Sequence, residues 1–122
     1  MDLDGKISLV TGAGQGIGEG IAKVLVARGS KVILVDMNGE TVKKVSDQIN
    51  SLFPAATVSF QADLTDENAI TTMLEFAHEK FNRLDCICNN AAASRGIGPL
   101  ESYSLEDVQA TLDLTFTALW KC

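Results

Sequence analysis

The stretch from Ser8 to Gly20, SLVTGAGQGIGEG, sets five glycines among nine positions, 12 to 20, directly behind a short apolar run. The run itself, KISLV at 6 to 10, is rich in β-formers, and Ile17, Ile21, Val24 and Leu25 then recur at helical spacing until Gly29 offers a stop. The glycines therefore sit in the turn between a strand and a helix. Such a turn lets the backbone approach an anion closely, while the first helical turn offers unpaired N–H groups and the positive end of its dipole to phosphate oxygens. A phosphate-bearing ligand is the functional reading of the turn; a plain tight turn is the alternative.

Spacing narrows the ligand. A nucleotide triphosphatase loop needs Lys followed by Ser or Thr after its last glycine, whereas Ile17 follows Gly16 and Glu19 follows Gly18. The G-x-G-x-x-G dinucleotide pattern fails as well, because counting from Gly12, Gly14 or Gly16 its last glycine falls on Ile17, Glu19 or Ile21. What remains is Gly12-x-x-x-Gly16-x-Gly18.

Working outward, KVILVD at 31 to 36 reads as a second buried strand, and a helix spans about Gly39 to Leu52 before Pro54 breaks it. TVSFQAD at 57 to 63 reads as a third strand. Thr65, Asp66 and Glu67 mark the start of a helix to about Phe81, because acids favour the positive end of a helix dipole. LDCIC at 84 to 88 gives a fourth strand, and Ser104 with Asp107 resembles a capping box at the start of a helix that runs to the C-terminus. Strands alternating with helices imply a parallel sheet.

Asp36 gives the glycine turn its functional meaning. It ends the second strand, 18 residues beyond Gly18, where a carboxylate accepts hydrogen bonds from the adenosine ribose hydroxyls of NAD and repels the extra phosphate of NADP. Gln15 stands beside Gly16 and Met37 directly follows Asp36, so no basic residue awaits that phosphate. The cofactor expected from this pattern is NAD.

Composition sets the outer limits. A chain of 122 residues with 46% hydrophobic and 21% charged content reads as one globular domain over 1–122. Sixteen acids against ten bases argue against nucleic acid or an anionic membrane as partner. With no apolar run near the roughly 20 residues of a membrane span, and no basic and apolar leader at the N-terminus, the expected compartment is the cytoplasm. Three cysteines fit that compartment; Cys86 and Cys88 share one face of a short apolar strand and are expected in the core rather than on a metal. His78 lies among charged residues and is expected on the surface.

Taken together, these motifs resemble the classical short-chain dehydrogenase/reductase family over nearly the whole chain. TGAGQGIG at 11 to 18 is similar to its cofactor turn, DLT at 63 to 65 to its adenine-contacting segment, and NNAA at 89 to 92 to its NNAG motif. The resemblance implies an α/β, Rossmann-like doubly wound parallel sheet with four strands in the order 3-2-1-4, flanked by helices and cut short after the fifth helix. It places Gly12, Gly16, Ile17 and Gly18 around the pyrophosphate, Asp36 at the ribose and Asp63 with Leu64 at the adenine. Asn90 and Ala91 fall on the adenosine side of the fourth strand's exit, Ala92 stands where the motif has glycine, and Gln15 and Met37 complete the binding set. Two other readings stay open: Asp63 as a turn residue leading into a helix, and Asn89 as a brace for the sheet.

The family's chemistry is hydride transfer between nicotinamide and a carbonyl or alcohol, with a Tyr acid/base, a Lys that lowers its pKa, a Ser that orients substrate and a helical Asn. None has a counterpart here. Tyr103 is followed four residues later by Asp107 rather than Lys, and in LDLTFTA at 112 to 118 Thr115 falls where the Asn belongs. The expectation is an incomplete chain of an NAD-dependent oxidoreductase, inactive alone; a non-catalytic nucleotide-binding or interaction protein derived from that family is the alternative. In the implied strand order LDCIC becomes an open edge. Leu105, Val108, Leu112, Phe116, Leu119 and Trp120 form an apolar stripe opposite Leu114, so a homo-oligomer through the 84–88 edge or the final helix is expected, with a marginally stable monomer whose stripe folds back on the sheet as the alternative.

Overall fold

The computed structural model describes residues 2–93 and 98–122. Its centre is β1 (Ile7–Thr11), all five residues of which are buried. This strand has a neighbour on each side and a helical layer on each face, so all five residues are buried without alternation, the polar Ser8 and Thr11 included. β2 (Lys31–Asp36) pairs with β1 from Ile7–Lys31 to Thr11–Val35, and β3 (Thr57–Gln61) pairs with β2 from Val32–Thr57 to Asp36–Gln61. On the far side of β1, β4 (Cys86–Cys88) pairs from Ser8–Cys86 to Val10–Cys88. All three pairings are parallel, and the order is β3-β2-β1-β4, as expected.

Side chains alternate across the sheet and divide the core into two layers. Val10, Val32 and Leu34 meet α1 (Gly16–Ala27) through Ala22 and Val26, and α2 (Gly39–Leu52) through Val42, Val45 and Ile49. Leu9, Ile33 and Val35 meet α3 (Glu67–Phe81) through Ile70, Met73 and Ala77, with Leu114 and Ala118 of the C-terminal segment completing that layer. Polar side chains set where the helices begin. Asn38 accepts from the N–H groups of Glu40 and Thr41, both at 3.1 Å, and Asp66 accepts from Asn68 at 2.9 Å. Ser104 and Asp107 form the expected capping box at α4 (Leu105–Leu112), so aspartate suffices in place of the usual glutamate.

Four expectations need correction. β3 stops at Gln61, because Asp63 turns its carboxylate onto the amide and hydroxyl of Thr65 and so forms the entrance to α3. β4 is regular only over Cys86–Cys88 rather than 84–88, a shortness common in edge strands. Cys86 is exposed and Cys88 only half-buried, since among the described residues the edge strand has one strand neighbour and no full cover. The final helix is also interrupted: a π-helical turn, Asp113–Thr117, separates α4 from α5 (Ala118–Lys121). Within it the Thr115 hydroxyl donates to the Thr111 carbonyl, competing with the backbone for that acceptor, while the Ala118 amide reaches back to Asp113.

Other expectations stand. His78 is exposed on α3. The apolar stripe faces outward from Leu105 to Trp120, the latter 83% exposed, while Leu114 packs on the core from the other side. Among the described residues no helix is long and apolar enough to cross a membrane.

Candidate functional site

Every residue singled out by the motifs lies at or just beyond the C-terminal end of a strand, the end at which ligands of open parallel sheets bind. The glycine turn leaves β1 after Thr11 and reaches α1 at Gly16. Gly12 and Gly16 hold φ of +65° and +59°, the left-handed region that costs a side chain about 1–2 kcal/mol. Gly18 is required for a different reason: a Cβ there would lie 2.1 Å from the Gly12 carbonyl oxygen and 2.7 Å from Asn90 Nδ2. Outside Gly16, by contrast, no atom of the described residues lies within 4 Å of where a Cβ would stand, its chain neighbours and own helix backbone aside. The turn is thus closed against the protein at Gly18 and open toward solvent at Gly16.

At the mouth of α1, Gln15 occupies the N-cap position in an extended conformation and makes no side-chain cap bond. Among the described residues the first-turn amides have no side-chain partner, in contrast to α2, α3 and α4, which are all capped by their own sequences. Ile17, 77% exposed, projects from this turn. An uncapped helix start with an exposed glycine in front of it has the shape and polarity of an anion cradle.

Beside the turn, Asp36 is half-buried and held from two sides. Gly14 N–H donates to Oδ2 at 2.9 Å, and Asn38 N–H donates to Oδ1 at 3.0 Å. A carboxylate oxygen has room for a further donor, so the pair remains able to receive a diol. Met37, 67% exposed, follows it and lines a shallow hollow with Asn38, Gly39, Glu40 and Gln61.

The exit of β4 closes the other side. Asn90 Nδ2 donates to the carbonyls of Thr11 at 3.0 Å and Gly12 at 3.3 Å, tying the glycine turn to the loop after Cys88. The sheet brace is therefore Asn90; Asn89 is exposed. Ala91 is half-buried against the core and Ala92 exposed. Asp63 is exposed, with its carboxyl held below the usual carboxylate range by the Thr65 hydroxyl and amide, against a smaller opposing effect of burial. Leu64 sends its side chain into the core at 7% exposure, so only its backbone is left to face a ligand. Ala62 N–H to the Asp36 carbonyl, 3.0 Å, links this segment to the acid that ends β2.

Thr11 was not among the residues singled out, yet its buried hydroxyl accepts from the amides of Asn90 and Ala91, both at 3.0 Å. The available signal was a hydroxyl residue closing a fully buried strand. Asn38 escaped as well: its N–H donates to Asp36, while its side chain caps α2. Burial raises the Cys88 thiol, with Cys86 adding to the effect, which keeps it protonated at neutral pH. Among the described residues no group of three His, Cys, Asp or Glu side chains could hold a metal ion.

The family model described as short chain dehydrogenase matches residues 6–122. The chain belongs to the short chain dehydrogenase family. Among curated relatives, versicolorin reductase stcU of Emericella nidulans is 47% identical over 90 residues, covering 73% of this chain and 34% of that protein. Among solved structures, a 3-ketoacyl-(acyl-carrier-protein) reductase from Brucella melitensis complexed with NADH superposes with a TM-score of 0.91 at 29% identity, covering 98% of this chain and 48% of that one. A metagenomic short-chain oxidoreductase in complex with NADP gives a TM-score of 0.88 at 28% identity, covering 98% of this chain and 53% of that one. This dehydrogenase-family chain thus spans about a third to a half of the length of these proteins.

Proposed function

We propose that this chain forms the dinucleotide-binding part of an oxidoreductase acting between a nicotinamide cofactor and a carbonyl or alcohol, and that it takes NAD in preference to NADP. The bound cofactor supplies the hydride chemistry. The residues of this chain bind and orient it: the open turn at Gly12, Gln15, Gly16, Ile17 and Gly18 receives the pyrophosphate at the start of α1, and Asp36 receives the ribose. Met37, Asp63, Leu64 and the 90–92 segment enclose the adenine side.

The observation that carries this reading is the Asp36 carboxylate, aimed at the turn by Gly14 N–H and Asn38 N–H. Related structures hold NADH in one case and NADP in another, so they support the cofactor class while the choice within it rests on Asp36. A ribose diol can donate to that carboxylate, whereas a 2′-phosphate meets like charge without a basic residue at Gln15 or Met37 to offset it. Calorimetric titration of the 122-residue chain with NAD, ADP-ribose and NADP tests the reading; NADP bound as well as NAD overturns the cofactor choice, and binding of none overturns the site.

A second reading, a binding protein without catalysis, is favoured by Thr115, whose hydroxyl is bonded to the Thr111 carbonyl at the position of the family's helical Asn. These 122 residues also contain no Tyr-x-x-x-Lys. Proton transfer by a positioned group contributes about 10² to 10⁴ in rate, so we infer that the 122-residue polypeptide alone gives no dehydrogenase turnover, read as NADH absorbance against a panel of ketones and alcohols. Turnover that survives loss of Tyr103 overturns that inference. We further infer a single cytoplasmic domain that self-associates through the β4 edge, the outward stripe of the C-terminal helices, or both.

A further inference from the structure

Two of the three cysteines of the chain stand on one face of β4. Ile87, between them, packs in the layer of Leu9 and Ile33, while Cys88 packs in the layer of Val10 and Ala22, so positions 86 and 88 both lie on the α1–α2 side of the sheet. In register they stand beside Ser8 and Val10 of β1, and the Ser8 hydroxyl is already paired with that of Ser30 at 2.8 Å. With Cys86 exposed and Cys88 half-buried, the pair is open at one end and backed by apolar side chains at the other.

Their spacing suits a bridging ion better than a disulfide. Two positions along a parallel strand separate the Cα atoms by about 6.6 Å, beyond the roughly 5.5–6 Å usual for a disulfide, and the ladder to β1 holds the strand extended. Two metal–sulfur bonds of about 2.3 Å let the sulfurs stand roughly 4.6 Å apart, where a disulfide draws them to about 2 Å. The thiols are within reach of each other. Burial raises the Cys88 thiol most, and the charge and hydrogen bonding of Cys86 raise it further.

Ligand number selects the ion. Structural zinc and iron–sulfur clusters take four protein ligands, and among the described residues no third His, Cys, Asp or Glu joins the pair. Calcium and magnesium take oxygen ligands. Two thiolates without further donors match a soft monovalent cation of the Cu(I) type. We propose that Cys86 and Cys88 form a two-thiolate site for such a cation on the α1–α2 face of β4. On binding, each thiol gives its proton to solvent and each sulfur donates an electron pair to the ion, which keeps its oxidation state. Affinity therefore falls as the pH is lowered.

The test titrates Cu(I) into the reduced 122-residue chain without oxygen, against a chelator that reports free Cu(I) by its colour. Cys122→Ser removes the third thiol and serves as the reference protein. It is expected to take one equivalent, with an affinity that is independent of protein concentration and higher at pH 8 than at pH 6. Cys86→Ser and Cys88→Ser, each made in that reference, are expected to bind weaker by about 10² or more, the scale of gain from joining two ligands in one chain. Circular dichroism checks that each is folded, and Cys86→Ser, at an exposed position, decides by itself if Cys88→Ser does not fold. Affinity retained in Cys86→Ser, or no binding by the reference protein, overturns the proposal. So does an affinity that rises with protein concentration, which would place the ion between two copies of the chain.

Discussion

Gly14 N–H donates to Oδ2 of Asp36 at 2.9 Å, joining the glycine turn after β1 to the acid that ends β2. A Cβ at position 14 would lie 2.8 Å from that same oxygen and 2.6 Å from the Thr41 hydroxyl, so the backbone reaches the carboxylate only because there is no side chain in the way.

Asp36→Ala is expected to reduce the preference for NAD over NADP by about 1–3 kcal/mol, the range of a lost charge-assisted hydrogen bond. Titration of both cofactors into both proteins checks this; a variant that keeps the parent's preference would assign the selectivity elsewhere.

The two glycines of the turn should respond differently to alanine. Gly16→Ala meets open space and is expected to cost about 1–2 kcal/mol through its positive φ alone. Gly18→Ala drives a methyl into the Gly12 carbonyl, which the backbone can relieve only by moving, and is expected to cost more than Gly16→Ala and to abolish cofactor binding. Urea unfolding of the pair decides; equal losses would refute the close approach.

Asp85 fastens the start of β1 to the approach to β4, accepting from Arg83 and from Ile7 N–H at 2.9 Å, with Lys6 at 3.8 Å. The Arg83 hydrogen bond, then that of Ile7, holds the carboxyl below its ordinary value of 3.8. A folded-state pKa that is lowered contributes stability above the unfolded value and loses it as pH falls through the folded one. The parent should therefore melt above Asp85→Asn at pH 6, with the two curves converging in acid. A constant gap down to pH 2 would contradict the linkage.

Trp120 and Phe116, 83% and 67% exposed, test self-association better than Leu114, which lies against the core. Trp120→Asp and Phe116→Asp are expected to shift the light-scattering mass toward monomer without lowering the melting temperature. A monodisperse parent monomer at high concentration would end the idea.

How legible these features were follows from burial. The strand β2 could be read because both faces are covered, which leaves the unbroken apolar run Val32–Val35, and Asp36 because it ends that run. The end of β3 could not, since a side chain three bonds from its own backbone, Asp63 folding onto Thr65, decides whether the chain continues or turns. The exposure of Cys86 was hidden because an apolar residue reads the same on an edge strand as on a central one. The π turn was hidden too, as TLDLTFTAL keeps a helical pattern through the widened turn and only the hydroxyl of Thr115 marks it. For Thr11, one-dimensional reading sees a strand terminus, while the sheet order alone brings Asn90 and Ala91 within its reach.

That Thr11 hydroxyl also sets an order of solvent exchange. In most folds strand amides exchange slowly and loop amides quickly. Here the amides of Asn90 and Ala91, in the loop past β4, end on a buried oxygen, while β4 itself presents one open edge to water. Deuterium should therefore enter the outward amides of the strand before those of the loop that follows it, and the slow pair would report, without any ligand, whether the floor of the cleft is intact.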